Sequence, residues 1–176
     1  MDVEVSAEAK DKRLNRIVAL TVVLFSICMG LAQVKDGNIV QAMAQAQARA
    51  VDRWSEYQST RIKLHVDEVA LAQADTPAEA ARLKAEVAKY RGESVELRQM
   101  AQGYERDYDA LNVHDDQFDA SDAAVGIAVA VAAVAALTES WPVLFVSWGF
   151  GGFGLVMAAA GFLGWGLKSP LATLLS

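Results

Sequence analysis

Charge is absent from three long runs of this chain and dense everywhere else. No charged residue occurs from Ile17 to Val34, from Ala123 to Thr138, or from Ser140 to Leu167. A soluble domain mixes apolar and polar positions at the helix or strand period, whereas whole segments without charge point to lipid. At ~1.5 Å per residue, a run of about twenty residues matches the ~30 Å hydrocarbon core. The pattern predicts three membrane spans, at residues 14–34, 120–138 and 142–167.

Each span has its own texture. In the first, Asn15, Ser26 and Gln33 fall close to one helical face with Ala19 and Gly30 beside them, a stripe suited to helix–helix contact. In the second, Ala124, Ala128, Ala132 and Ala136 form a smooth stripe, so protein rather than lipid is expected around it. The third opens with Pro142, a favoured residue at a helix start. Its small residues stand four apart: Ser147/Gly151, Gly154/Ala158 and Ala160/Gly164. Trp141 and Trp165 lie 24 residues apart, or roughly 36 Å along a helix, which suits two interfacial aromatic belts. Only Glu139 and Ser140 separate the second span from Trp141 and Pro142, so these two spans are expected to form a tight antiparallel pair.

Residues 35–119 are polar and show helical periodicity. Asp75-Thr76-Pro77 divides them, with Thr76 as N-cap and Pro77 at the first helical position. After the break, Leu83, Val87, Tyr90, Ser94, Leu97, Ala101, Tyr104, Tyr108, Leu111, Asp115 and Phe118 recur at spacings of three and four, a heptad seam. Before it, Val40, Met43, Gln47, Val51, Trp54, Gln58, Ile62, His65 and Val69 give a looser seam. The expected architecture is an all-α integral membrane protein, with a long antiparallel coiled-coil helical hairpin between spans one and two. Tails at 1–13 and 168–176 complete the chain.

Charge then sets orientation and partners. The net charge of −6 resides in the polar part, where 35–122 holds eleven basic and seventeen acidic residues. Such a surface repels phosphate, so nucleic acid is excluded as a partner. Lys10, Lys12, Arg13 and Arg16 form the only dense basic cluster beside a span. The positive-inside rule places that end in the cytoplasm of a bacterial inner-membrane protein and the hairpin in the periplasm. The same basic residues, the apolar run and Gly30-Leu31-Ala32 also have the layout of a secretory leader; the run is read as a retained span. Cys28, the single cysteine, forms no intrachain disulfide and reads as a small packing residue.

Trp54-Ser55-Glu56-Tyr57-Gln58, just beyond the first span, resembles the Trp-x-x-Tyr-Gln block of a bacterial membrane family known as domain of unknown function 4337. His114-Asp115-Asp116-Gln117-Phe118-Asp119, ahead of an Ala/Val-rich span and a Gly-rich one, is similar to its second block. Ser59-Thr60-Arg61 stands where the family tends to carry a lysine, and Thr138-Glu139-Ser140 where it tends to carry basic residues. The resemblance implies a three-span bacterial membrane protein and supplies no activity.

The residues offer no catalytic constellation. His65 and His114, the only histidines, fall far apart on opposite arms of the hairpin, and no Ser/His/Asp, Cys/His or zinc spacing occurs. No enzyme activity and no cofactor are expected. The acidic cluster remains open to three readings. Asp119 and Asp122 can cap a fresh helix at the membrane surface. His114, Asp115, Asp116 and Asp119 can bind a divalent cation such as calcium or magnesium. In an oligomer, Asp115, Asp119 and Asp122 can ring the mouth of a cation pore above an apolar constriction. The expected function is a homo-oligomeric structural or accessory scaffold. Trp54, Tyr57, Leu97, Tyr104, Tyr108, Leu111 and Phe118 are its assembly residues, and lipid, other copies and another membrane complex its candidate partners. The alternative is a homo-oligomeric cation channel with an acidic vestibule.

Overall fold

The computed structural model describes residues 12–167; Lys10, the rest of the tail before Lys12 and the tail at 168–176 lie outside the described residues. Three helices account for the fold: α1 (Lys12–Ala72), α2 (Pro77–Leu137) and α3 (Trp141–Leu163). No strand occurs among the described residues. All three are long and apolar enough to cross a membrane, by length and composition. The chain divides into two compact units, one containing residues up to Val40 and from Val113 onward, the other Gln41–Asn112.

The connections follow from local chemistry. Thr76 Oγ1 accepts the backbone N–H of Glu79 at 3.2 Å, so Thr76 caps α2 and satisfies one of its free donors. Between α2 and α3 the chain reverses in three residues, with Glu139 at φ 49° and Ser140 N donating to Ala135 O at 3.0 Å. α3 ends at Gly164, whose φ of 69° is left-handed. Glycine reaches that conformation without strain, and it lets Trp165 N close back onto Ala160 O at 2.9 Å.

In the first unit the core lies where α1, α2 and α3 meet. Leu14 and Val18 pack with Ala132, Ala135 and Leu144; Phe25 packs with Val125 and Ala128. The alanine stripe is accordingly buried, with Ala124, Ala128 and Ala132 nearly inaccessible. The glycines of α3 act as notches for side chains of the other two helices. A Cβ on Gly151 would collide with the Phe25 ring, one on Gly154 would lie 2.7 Å from Val125 Cγ2, and one on Gly161 2.7 Å from Phe118 Cε2. Ser147 Oγ donates to Ala128 O at 2.7 Å, and Trp148 Nε1 donates to Thr21 Oγ1 at 3.1 Å. Both polar groups are thus satisfied within an apolar setting. One expectation is corrected in part: α1 packs through Leu14, Val18, Thr21, Phe25 and Ala32, and of the expected stripe Asn15 is half-buried and Gln33 bonds Asp122, while Ala19, Ser26 and Gly30 are exposed. Phe25 fills the space that Gly151 leaves open.

In the second unit, α1 and α2 run antiparallel. Trp54 Nε1 donates to Glu105 Oε1 at 2.8 Å, and Arg91 Nη2 to Glu68 Oε1 at 2.7 Å; the two bonds share one register. On α2, Leu83, Val87, Ser94, Leu97 and Ala101 are buried and Tyr90, Tyr104, Tyr108 and Leu111 half-buried, which is the seam its spacing predicts. On α1 the seam is displaced by one face. Met43, Ala46, Ala50, Thr60 and Leu64 are buried and Tyr57 half-buried, whereas Val51 (62%), Ile62 (66%) and Val69 (46%) are exposed. The register places Ala50 level with Asp109 and next to Tyr108, Tyr57 level with Gln102 and next to Ala101, and Leu64 level with Val95 and next to Ser94. Large residues on one helix meet small ones on the other, so volume complementarity, not hydrophobicity alone, selects the face.

Candidate functional site

The acidic block lies in the interior of α2. No glycine or proline interrupts residues 104–125, and α2 continues unbroken from Pro77 to Leu137. The reading in which Asp119 and Asp122 cap a fresh helix is therefore corrected, because no free helical N–H groups exist there. Continuity instead fixes where each side chain goes, with Asp115, Asp119 and Asp122 sharing a face at spacings of four and three.

That face meets α1. Gln33 Nε2 donates to Asp122 Oδ2 at 3.0 Å. Asp36, one turn further on, shares a side-chain hydrogen bond with Asp115. Burial pushes the Asp115 carboxyl up to about 6, helped by the charges of Asp36 and Asp119, by the hydrogen bond to Asp36, and by Asp116. Burial also raises Asp36, with Asp119 and Asp122 adding to the rise and the bond from Asp115 opposing it. Both carboxyls are raised, and their proximity lets the pair hold a shared proton. Asp36 Oδ1 and Asp122 Oδ1 are shielded acceptors without a hydrogen-bond partner. Asp119 is exposed and Asp116 half-buried.

The opposite side of the block locks α2 to the end of α3. Gln117, fully buried, donates through Nε2 to Trp165 O and Leu167 O, each at 2.6 Å, while its Oε1 lies 3.2 Å from His114 Nδ1. Phe118 fills the notch at Gly161 and meets Phe162 edge to face, centroids 5.3 Å apart. Residues 114–122 thus face two ways, with acids toward α1 and Gln117 and Phe118 toward α3. Among the described residues, no three His, Cys, Asp or Glu side chains form a group able to hold a metal ion, and His114 is turned to Gln117.

The remaining candidate residues lie in the second unit. Trp54 packs edge to face on Tyr57, centroids 5.4 Å apart, and with Tyr104, Tyr108, Glu105 and Asp109 it lines a notch of about 270 Å³. Leu97 is buried in the α1–α2 seam, and Leu111 lines a neighbouring groove with Tyr104 and Arg49. The seam's spacing announced these aromatic positions. It gave no sign of Asp36, whose partner Asp115 lies 79 residues away, whereas Gln33, bonded to Asp122 89 residues away, lay on the contact stripe read in the first span.

Fold and block together define an all-helical protein with three helices of membrane-crossing length and composition. The chain belongs to the family described as domain of unknown function DUF4337, whose model matches residues 14–164 and so takes in both the Trp54–Gln58 and the His114–Asp119 blocks. No curated protein and no solved structure matches the chain.

Proposed function

We propose that this protein is a non-enzymatic, three-span scaffold of the bacterial inner membrane that self-assembles. Its second unit acts as a coiled-coil hairpin on the periplasmic side, and its N-terminus lies in the cytoplasm. The observation that carries this reading is the exposed stripe Val51, Ile62, Val66 and Val69 on α1. These residues lie in the polar part of the chain, where lipid does not cover them, and they recur at helical spacing beside the seam already used within the chain. Ser26 and Gly30 of the first span form a second uncovered pair at a spacing of four, suited to close approach of membrane helices.

The rival reading, a cation channel with Asp115, Asp119 and Asp122 around a pore mouth, has less behind it. Asp115 and Asp122 are engaged by Asp36 and Gln33 of their own chain, leaving Asp119 exposed. The deciding experiment is the mass of the detergent-purified protein by light scattering, with bound detergent subtracted. A multiple of 18.9 kDa that falls to one chain on Ile62→Glu with Val66→Glu supports the scaffold. A single-chain mass for the unaltered protein sinks it. A closed ring of four or more chains, with a bilayer current lost on Asp→Asn changes at the three aspartates, transfers the case to the channel. Stoichiometric co-purification with an unrelated membrane complex makes the protein a docking subunit instead.

A further inference from the structure

The notch beside Trp54 adds two carboxylates, Glu105 and Asp109, to aromatic residues named for assembly. Its walls are the rings of Trp54, Tyr104 and Tyr108, with Ala50 and Val51 completing the apolar part. Two carboxylates, Glu105 and Asp109, also line it, and no basic side chain among the described residues does. Aromatic faces carry negative electrostatic potential, so three rings and two acids together attract a cation and repel an anion. The volume of about 270 Å³ lies at the lower end of small-molecule sites, which admits a methylated ammonium group and excludes a nucleotide or a large ring system.

The walls are held from behind. The indole N–H of Trp54 is committed to Glu105 Oε1 at 2.8 Å, which fixes that carboxylate at the rim. Tyr57 braces the indole at 5.4 Å. Arg49, which lines the adjoining groove, places its guanidinium carbon 5.8 Å from the Tyr104 ring centroid, so this ring already engages one cation. A bound ammonium group therefore meets a site already formed and needs no ordering of its walls.

We propose that this notch binds a small organic ammonium cation, held on the rings of Trp54, Tyr104 and Tyr108 with Glu105 and Asp109 as counter-charges. The proposal rests on residues of the second unit alone.

The test uses the full chain in a maltoside detergent, which has no ammonium headgroup. Choline is titrated at constant ionic strength against its neutral carbon isostere, 3,3-dimethylbutan-1-ol, with saturation-transfer NMR and calorimetry as readouts. Choline is expected to saturate at roughly 1–10 mM and to bind about tenfold tighter than the isostere. Glu105→Gln with Asp109→Asn, both exposed positions, is expected to weaken choline about tenfold and leave the isostere unchanged. Trp54→Phe, which keeps a ring, is expected to retain most binding that Trp54→Leu loses, with helicity monitored throughout by circular dichroism. Equal affinities for choline and isostere overturn the proposal. So does the absence of saturable choline binding to the folded protein, or binding indifferent to the loss of both carboxylates.

Discussion

Gln117 on α2 donates its side-chain amide to the backbone carbonyl of Trp165, 2.6 Å away and beyond the end of α3. A second N–H of the same amide reaches Leu167 O, so one fully buried side chain holds two carbonyls that no longer have a helical donor. Replacing Gln117 with Leu keeps much of the volume and leaves those acceptors unpaired. The expected cost is about 1–3 kcal/mol, read as a lower thermal midpoint in detergent. Gln58→Leu, on an exposed face, is the control and is expected to change little. Equal midpoints for both variants would show that the bond is dispensable.

The notch at Gly161 gives a second test. A methyl group there would sit 2.7 Å from Phe118 Cε2, so Gly161→Ala forces the ring or the helix to move, at about 1–3 kcal/mol. Gly149→Ala meets nothing within 4 Å and is expected to be neutral. Phe118→Leu in the Gly161→Ala background should recover part of the loss. A double-mutant cycle with no coupling would contradict the contact.

The two faces of α1 in the second unit separate burial from hydrophobicity. Leu64 is 2% exposed and Ile62 66% exposed, although both are large apolar residues two positions apart. Leu64→Ala is expected to cost about 2–5 kcal/mol. Ile62→Ala should stay within about 0.5 kcal/mol for the folded chain and act instead on the mass measured by light scattering. The reverse order of destabilisation would restore the seam through Ile62.

The acid pair predicts a pH dependence of defined sign. Asp115 is raised from its ordinary value of 3.8 to about 6, so the folded chain holds this proton more tightly than the unfolded one. Its contribution to stability is full below pH ~4, declines as pH rises toward ~6, and is absent above. Asp36, also raised, acts in the same direction. The thermal midpoint is expected to be higher at pH 5 than at pH 7.5, and Asp115→Asn should raise the pH 7.5 value and flatten the difference. A midpoint that climbs between pH 5 and 7.5, equally in both proteins, would falsify the shared-proton arrangement.

The sequence by itself determined the elements that local rules control. Uncharged runs marked the three apolar segments, because burying a charge in hydrocarbon is costly whatever surrounds it. Thr76 and Pro77 marked the start of α2, because capping involves only adjacent residues. The α2 seam was legible because Leu83, Val87, Leu97 and the tyrosines lie on one face with nothing comparable on the others. Tertiary structure decided what depends on a partner. α1 carries two candidate stripes, and the one through Ala46, Ala50 and Leu64 is the buried one, with Ala46 and Ala50 beside Tyr104 and Tyr108 of α2. The acidic block looked like a helix start, yet the helix runs through it. Its roles come from Asp36 and Gln33 on one side and the Trp165 and Leu167 carbonyls on the other. Those partners lie between 48 and 89 residues away, a distance over which periodicity carries no information and only the folded arrangement brings the groups together.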